Sequence, residues 1–492
     1  MSDLDLSAEQ ILREPSAGRA AIRGSALRGG GYLAGWILLA VASVLLVRHL
    51  GVADFGRYAT VMSVVAIASA LSDPGLSILG QRDIIQTGGE IDGARRRLLG
   101  DILGIRLLIT PVTIALAVAF AWAVGYEKEM VLGVFLAGTA LIVVGVNATL
   151  MIPLTARLRL ATLTVADLIS DMTVVAGIVL LVLAGASLVP FFAVHIVAAV
   201  AACVFLLAAM GKGNVPRPRL SRREWGPIVG EAVPMGIAAT INVVYYRTLL
   251  VTCSLAATAH QTGLFATSFR IIEVLLSVSG RFTAAFFPII AHAGKHDEER
   301  LRYALQRMLE VALLLAFAFV LLLTIGGPAI VRLLGGEEFR DAGPVLQIQA
   351  FALIGALTGG VWFLGVVAVR RQSALIVRNG AVLVFILVLG VILIPRYGAK
   401  GAAVGAVVGE TLLSIGGLIL LLRARPGLRF QTAFVPRILA AAGLGALCIL
   451  LPGPGLVRAA AALVVYGAVA VALRAVPHEV FDAFRWGRKG EG

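Results

Sequence analysis

The sequence predicts an all-α integral membrane protein with about fourteen transmembrane helices, and three observations support that fold class. Of its 492 residues, 59% are hydrophobic and only 14% are charged, whereas a soluble protein carries roughly 25% charged residues. Apolar runs long enough to cross a bilayer recur along the whole chain. Basic residues concentrate in every second connection between these runs, which indicates an even number of spans.

The apolar runs predict the individual helices. A helix needs about 20 apolar residues to cross the hydrocarbon core of a bilayer. Runs of this kind lie near 31–50, 58–80, 98–122, 130–153, 162–185, 188–210, 227–252, 262–290, 305–327, 345–369, 373–395, 401–422, 433–451 and 456–474. Because the connections between them are short, no separate water-soluble domain is expected.

The loop charges predict the orientation of the spans. The chain has a formal net charge of +14, and its basic residues favour one side of the membrane by about four to one. We therefore expect both the N-terminal segment 1–30 and the tail 475–492 in the cytoplasm. This asymmetry accounts for most of the positive charge, so nucleic acid is not an expected partner.

An internal repeat divides the chain. ADFGRYATVMSVVAI at 53–67 matches HQTGLFATSFRIIEV at 260–274, with Gly56 against Gly263, at an offset of about 207 residues. Internal repeats of this kind are typical of transporter folds. We predict two six-helix bundles in a pseudo-two-fold repeat, with a C-terminal helix pair outside it. The predicted domains are the bundles 31–210 and 228–422, a cytoplasmic linker at 211–227 and the additional pair at 433–474.

The seventh and eighth spans contain charged residues. Arg247, Arg270, Glu273 and Arg281 all lie within 242–281. Ionisable groups at membrane depth cost a few kcal/mol each, so they are rare there and usually functional. Arg270 and Arg281 are about three helical turns apart and project from one face. Arg270 and Glu273 have the spacing of a pair on one helix.

Four segments carry a family resemblance. In chain order they are HLGVADFGRYATVMSVVAIASALSDPGLSILGQRDI (49–84), YYRTLLV…TGLFATSFRIIE…FFPIIA (245–291), LLGGEEFRDAGPVLQIQA (333–350) and IPRYGAKGAAVGAVVGE (394–410). Together they resemble the polysaccharide-export (Wzx-like) branch of the multidrug/oligosaccharidyl-lipid/polysaccharide (MOP) exporter superfamily. The chain departs from the family pattern where Thr248 and Leu249 follow Arg247 without an acidic residue, and where span two has DPG in place of DLG.

The resemblance implies a function. Such proteins are similar to flippases that move polyprenyl-pyrophosphate-linked oligosaccharides across the bacterial cytoplasmic (inner) membrane by alternating access, for polysaccharide biosynthesis and export. The implied partners are the lipid-linked glycan, membrane lipids and other polysaccharide-assembly proteins, and we expect a monomer. The sequence has no phosphate-cradling or nucleophile motif. We therefore expect a transporter without a cofactor and not an enzyme, with coupling to protons or sodium ions left open.

The implied substrate suggests a set of binding residues. An anionic headgroup requires cationic donors, and arginine presents a planar fork that binds phosphate oxygens. The substrate-binding candidates are Arg270, Arg281, Arg247, Arg82 and Asp73. Arg82 is included because it matches the family pattern, and Asp73 because it precedes a Pro-Gly pair that breaks a helix. The alternative is that these side chains only extend toward water at the membrane surface.

Carboxylates within the spans are candidates for ion coupling. They are Asp167, Asp171, Glu231, Glu273 and Glu410. Asp167 and Asp171 are four residues apart and share a helical face, where they can bind a cation or pair with Arg106 of the third span. Glu231 with Pro234 resembles a kinked gating helix. Ion pairs between helices are the structural alternative for these carboxylates.

Other functions stay open from the sequence. A lipid II flippase and a MATE-type multidrug antiporter belong to the same superfamily, although cationic drugs require an acidic cavity and the arginines argue against it. A membrane glycan polymerase or ligase is an alternative from a different class. Such enzymes tend to carry a large outer loop, whereas the longest one here, 328–345, is short.

Overall fold

The structure is a computed structural model that describes residues 15–86, 92–157, 159–211, 215–276, 298–369 and 371–476, with only the backbone described at 15–40, 222, 223 and 372. These residues are helical apart from short connections. Eleven helices in this part of the chain are long and apolar enough to cross a membrane, and Val435–Leu450 is a shorter apolar helix. The predicted all-α integral membrane class is confirmed.

The first half of the chain forms seven helices within its described residues. They are α1 (Pro15–Ser72), α2 (Leu76–Gln86), α3 (Gly93–Ala123), α4 (Lys128–Ala156), α5 (Leu160–Leu183), α6 (Leu188–Met210) and α7 (Arg222–Ala256). Helix α1 is kinked at Gly51, whose backbone has φ 71° and is not helical. Glycine tolerates this left-handed region because it has no Cβ. The kink separates the first two predicted spans.

The second half continues with α8, which occupies 259–276. The following helices are α9 (Glu298–Gly335), α10 (Ala342–Gln349), α11 (Ala352–Ala368), α12 (Gln372–Tyr397), α13 (Ala399–Ala424), α14 (Val435–Ala446) and α15 (Gly455–Ala472). Short 3₁₀ turns lie at Glu337–Phe339 and Leu447–Leu450.

The predicted apolar runs coincide with these helices. The run 262–290 coincides with α8 as far as residue 276, where the described segment ends. The run 345–369 is divided between α10 and α11. The agreement has a physical cause, since a backbone inside a bilayer has no water to bond to and must satisfy its own hydrogen bonds as helix.

The chain forms two compact units. The first comprises residues up to Leu50 together with Arg57–Arg247. Within it, α4 packs along α3 and α6, and α5 packs along α6. Buried residues of α2, α3 and α4, among them Leu76, Ile102 and Ile152, form one apolar cluster. The predicted boundaries at 210/211 and 227/228 stay a prediction.

The connection before α7 is docked within the first unit. We call residues 215–221 the strap. The backbone N–H of Arg219 donates to the carbonyl of Gly100 on α3 at 3.0 Å. A Cβ on Gly100 would lie 2.5 Å from the carbonyl oxygen of Arg217. A Cβ on Gly104 would overlap the carbonyl oxygen of Arg219. Two glycines one turn apart therefore let the strap lie directly on the helix backbone.

The second unit comprises Gly51–Gly56 and the residues from Thr248 onward. Helix α13 packs along α11 and α12, and α9 contacts α11 and α15. The Tyr466 hydroxyl on α15 donates to the carbonyl of Leu314 on α9 at 2.9 Å, so the C-terminal helix pair is attached through α9. The backbones of Gly56 and Gly263 are in close contact, because a Cβ on Gly56 would lie 2.6 Å from the Gly263 nitrogen.

Candidate functional site

The second predicted span is broken at its predicted position. Residues 73–75 separate α1 from α2, because proline lacks an amide hydrogen and Gly75 has φ 90°. Asp73 compensates for the break. Its Oδ1 accepts from the Ser77 N–H at 3.1 Å and its Oδ2 accepts from the Ser77 hydroxyl at 2.6 Å. Such bonds satisfy amides that the first helical turn leaves free.

Arg106 on α3 joins this break to the neighbouring helices. Its side chain is 1% exposed. One guanidinium nitrogen donates to Asp73 Oδ2 at 2.7 Å and to Ser77 Oγ at 2.6 Å, and the other donates to Thr149 Oγ1 on α4 at 2.7 Å. We call Asp73, Ser77, Arg106 and Thr149 the break network. A buried charge is tolerated when it is paired and hydrogen-bonded in this way.

A second ion pair connects α2 with α7. Arg82 Nη2 donates to Glu231 Oε1 in a short contact, and Arg82 Nη1 lies 3.8 Å from the sulfur of Met235. The side chains of Arg82 and Glu231 are 41% and 56% exposed. The pair therefore joins two candidates that the sequence analysis assigned separately, one to the headgroup and one to coupling.

A glycine contact lies beside that ion pair. A Cβ on Gly236 of α7 would overlap the Gly75 nitrogen and the Pro74 carbonyl carbon. A Cβ on Gly75 would overlap the carbonyl oxygen of Ala232. Close backbone approach through small residues is characteristic of helix contacts in membranes. The broken span is thus in direct backbone contact with α7, on the helical segment that carries Glu231.

The third ion pair lies on α8 in the second unit. Arg270 Nη1 is 3.5 Å from Glu273 Oε2, and the two side chains are 48% and 26% exposed. This is the pairing that their spacing along the helix predicts. Residues 262–269, which precede Arg270, are all buried. The arginine is therefore the first exposed side chain after two buried turns of helix.

A buried hydrogen bond fixes the rotation of α8. The Ser268 hydroxyl donates to Gln349 Oε1 on α10 in a short contact, and both residues are buried. The rings of Phe265 and Phe269 stack with centroids 6.0 Å apart on the same buried side. With these side chains turned inward, Arg270 is left on the exposed side of the helix.

The remaining predicted residues have different surroundings. Arg247 is half-buried on α7, and Arg281 lies outside the described residues. Asp167 and Asp171 are both half-buried on α5. Glu410 is buried on α13, where its backbone packs against Gly355. Neighbouring hydroxyls of Thr358 and Ser414 bond to each other at 2.7 Å across α11 and α13.

The structure places five of the predicted site residues in three ion pairs, and it adds residues that sequence reasoning missed. Arg106 was considered as a partner for Asp167 or Asp171, whereas its ion pair is with Asp73. Ser77 and Thr149 were not identified. A signal for Ser77 was available, because an aspartate just before a helix often accepts from a backbone N–H in the first helical turn. No sequence signal pointed to Thr149, because it lies 43 residues from Arg106 in the chain.

Comparison with protein families identifies a family for most of the chain. A family model described as "Polysaccharide biosynthesis protein" matches residues 45–344. That range includes the break network, the Arg82–Glu231 pair and the Arg270–Glu273 pair. No curated protein matches the chain significantly.

Solved structures share the fold. The lipid II flippase MurJ, in an inward closed conformation, superposes with a TM-score of 0.75 at 12% identity, over 91% of this chain and 99% of its own. An inward-facing multidrug resistance MATE family transporter of the MOP superfamily gives 0.65 at 14%, over 80% and 94%. A MOP superfamily transporter from Pyrococcus furiosus, described as having a binding pocket of reverse polarity, gives 0.57 at 15%, over 86% and 98%. At these identities the likeness shows the fold alone.

Proposed function

Since the chain belongs to the polysaccharide biosynthesis protein family, as the match over 45–344 shows, we propose that it is a flippase for a polyprenyl-pyrophosphate-linked oligosaccharide. It would move this lipid across the bacterial cytoplasmic membrane by alternating access, with both termini in the cytoplasm. The fold shared with a lipid II flippase supports the transport class. The predicted membership of a polysaccharide biosynthesis family is confirmed by the family match.

The Arg270–Glu273 pair carries this proposal. A pyrophosphate needs cationic donors, and Arg270 is exposed on an otherwise buried helical segment of a membrane protein. The adjacent carboxylate keeps the site neutral when it is empty, which lowers the cost of an arginine at this depth. A phosphate group then replaces the carboxylate as the partner of the guanidinium, with stronger bidentate bonds.

The other candidates have supporting roles in the proposal. Arg247, Arg281 and Arg82 would bind the headgroup at further positions along its path. Asp73 would maintain the break in the second span. Proton or sodium coupling would use the carboxylates of Asp167, Asp171 and Glu410. The protein would act as a monomer without a cofactor, in contact with its lipid substrate and with other polysaccharide-assembly proteins.

The experiment is transport by the full-length chain in proteoliposomes. Purified protein is reconstituted with a fluorescent polyprenyl-pyrophosphate oligosaccharide, and loss of fluorescence to an impermeant quencher reports translocation. We expect Arg270→Ala to abolish transport, because the principal headgroup donor is lost, and Arg270→Lys to retain a part of it, since lysine keeps the charge but not the fork. Protein yield and monodispersity are measured for every variant.

Arg302→Ala is the matched control. Arg302 also pairs with a glutamate three residues away, Glu299, at 4.0 Å, but it lies near the N-terminal end of α9. Its loss is expected to leave transport unchanged. Failure of the wild-type chain to move the lipid-linked oligosaccharide would overturn the proposed function, and faster transport of lipid II would reassign its substrate. Normal transport by Arg270→Ala would remove Arg270 from the mechanism.

A further inference from the structure

The Arg82–Glu231 pair differs from the break network in how completely its hydrogen bonds are satisfied. Arg106 is buried and bonds to Asp73, Ser77 and Thr149. Arg82 has one carboxylate partner, Glu231, and its other terminal nitrogen lies 3.8 Å from the sulfur of Met235. Only one nitrogen of the guanidinium therefore bonds to the carboxylate. An arginine can bind two oxygens of an acid with two nitrogens, and Arg82 does not bind Glu231 in this bidentate way.

The pair is also weak enough to exchange. Its side chains are 41% and 56% exposed, and ion pairs between exposed side chains contribute only about 0–1 kcal/mol. A pyrophosphate carries more negative charge than a carboxylate and offers two oxygens in the geometry of the fork. Such a ligand can therefore replace Glu231 at Arg82 with little loss.

Replacement would change the contact between α2 and α7. Arg82 belongs to α2 and Glu231 to α7, so the ion pair is one of the contacts between these helices. Other contacts are the apolar cluster that α2 forms with Ala232 of α7 and the backbone contact of Gly75 with Gly236 at the break. Once the ion pair opens, α2 is packed on α7 by apolar and backbone contacts alone. Binding would thus favour a looser contact between the two helices, because a ligand shifts a conformational equilibrium by its preference for one state.

From this geometry we infer that Arg82 and Glu231 form an exchangeable ion pair, in which a pyrophosphate group takes the place of Glu231 and so removes the ionic contact between α2 and α7. The inference rests on the proposed function for the identity of the ligand. It gives Glu231 a role as a competitor of the headgroup, which differs from the ion-coupling role considered from the sequence.

Binding measurements test this exchange. Calorimetric titration of the full-length protein in detergent uses inorganic pyrophosphate as one probe and farnesyl pyrophosphate as a second. Glu231→Gln removes the competing charge, and we expect binding about two- to fivefold tighter, which corresponds to the strength of an exposed ion pair. Arg82→Gln is expected to weaken binding about tenfold or more, because a charge-assisted contact is lost. Arg82→Lys is expected to lie between wild type and Arg82→Gln.

Glu127→Gln is the control for a general charge effect. Glu127 pairs with Arg57 at 2.7 Å, with side-chain exposures of 57% and 25%, so this variant removes the same charge from a similar pair in the same unit. Its affinity for pyrophosphate is expected to equal that of wild type. An equal increase in pyrophosphate affinity in Glu127→Gln and Glu231→Gln would show that the change in net charge is the cause, and it would overturn the inference. Unchanged or weaker binding in Glu231→Gln would show that the pair is structural.

The transport assay separates this inference from the proposed function. If Glu231 is a competitor, Glu231→Gln binds pyrophosphate more tightly but moves the lipid-linked oligosaccharide more slowly, since binding no longer opens the pair. A wild-type chain that transports the oligosaccharide, with no affinity change in Glu231→Gln, would overturn the exchange and leave the proposed function standing. A chain that binds pyrophosphate as expected but transports no lipid-linked saccharide would overturn the proposed function and leave the exchange standing.

Discussion

The guanidinium of Arg106 donates to the carboxylate of Asp73 at 2.7 Å, and this bond connects helix α3 to the break in the second span. The two residues lie 33 positions apart in the chain. The break is thus held by charge and hydrogen bonds from inside the first unit, in addition to the local effect of Pro74 and Gly75.

Loss of Arg106 is therefore expected to destabilise the protein. Arg106→Met removes the guanidinium from a buried site and leaves the Asp73 carboxylate without its cation, at a cost of about 3 kcal/mol, which lowers the Tm. Thr149→Val removes a single hydrogen bond and should cost about 1 kcal/mol. Thermal unfolding in detergent measures both. Equal melting temperatures for the two variants would contradict the central role of Arg106.

The docking of the strap predicts the effect of a methyl group on α3. Gly104→Ala would place a Cβ against the carbonyl oxygen of Arg219, and a backbone atom cannot move away without displacing the strap. We expect destabilisation of about 1–3 kcal/mol. Gly93→Ala on the same helix is the control, because no atom lies within 4 Å of its Cβ position. If both variants have the same Tm as wild type, the strap is not held at this position.

The contact between the broken span and α7 gives a third prediction. Gly236→Ala would introduce a Cβ into the backbone of Pro74 and Gly75, so we expect a lower Tm. Because the contact between the broken span and α7 is altered, we also expect slower transport. Gly230→Ala lies on the same helix in open space. It should be neutral or stabilising by about 0.5–1 kcal/mol, since alanine favours helix over glycine. A stable, active Gly236→Ala variant would argue against close backbone contact between α7 and the broken span.

The loop charges predict sidedness, which cysteine labelling measures. The three native cysteines, Cys203, Cys253 and Cys448, are free and are first replaced by alanine. Ser187→Cys lies in an exposed turn before α6, and Arg371→Cys in an exposed turn before α12. A membrane-impermeant maleimide added to intact cells should label the first and not the second, because basic loops stay in the cytoplasm. The opposite pattern would invert the predicted topology.

Local signals explain the parts of the fold that could be predicted. Each span depends on the apolarity of about 20 consecutive residues, and the Arg270–Glu273 pair depends on a spacing of three along one helix. Both are properties of a short window of sequence. The break at 73–75 was likewise predictable from proline and glycine chemistry.

Contacts between distant segments could not be predicted in the same way. Arg82 and Glu231 are 149 positions apart, and either could have faced lipid, another carboxylate or water. The repeat identified Gly56 and Gly263 as equivalent positions, but their direct contact follows from packing within the second unit. The linker predicted at 211–227 gave no sign that 215–221 would dock on α3.

The sequence by itself determined that this chain is a helical membrane protein and where its helices lie, because the bilayer selects each span by its own hydrophobicity and requires its backbone to form internal hydrogen bonds. Only the tertiary structure decided which carboxylates Arg82 and Arg106 meet. That choice depends on how every helix is rotated and how closely its small residues let a neighbour approach. Asp73 is consequently a partner of Arg106, and Glu231 is a partner of Arg82.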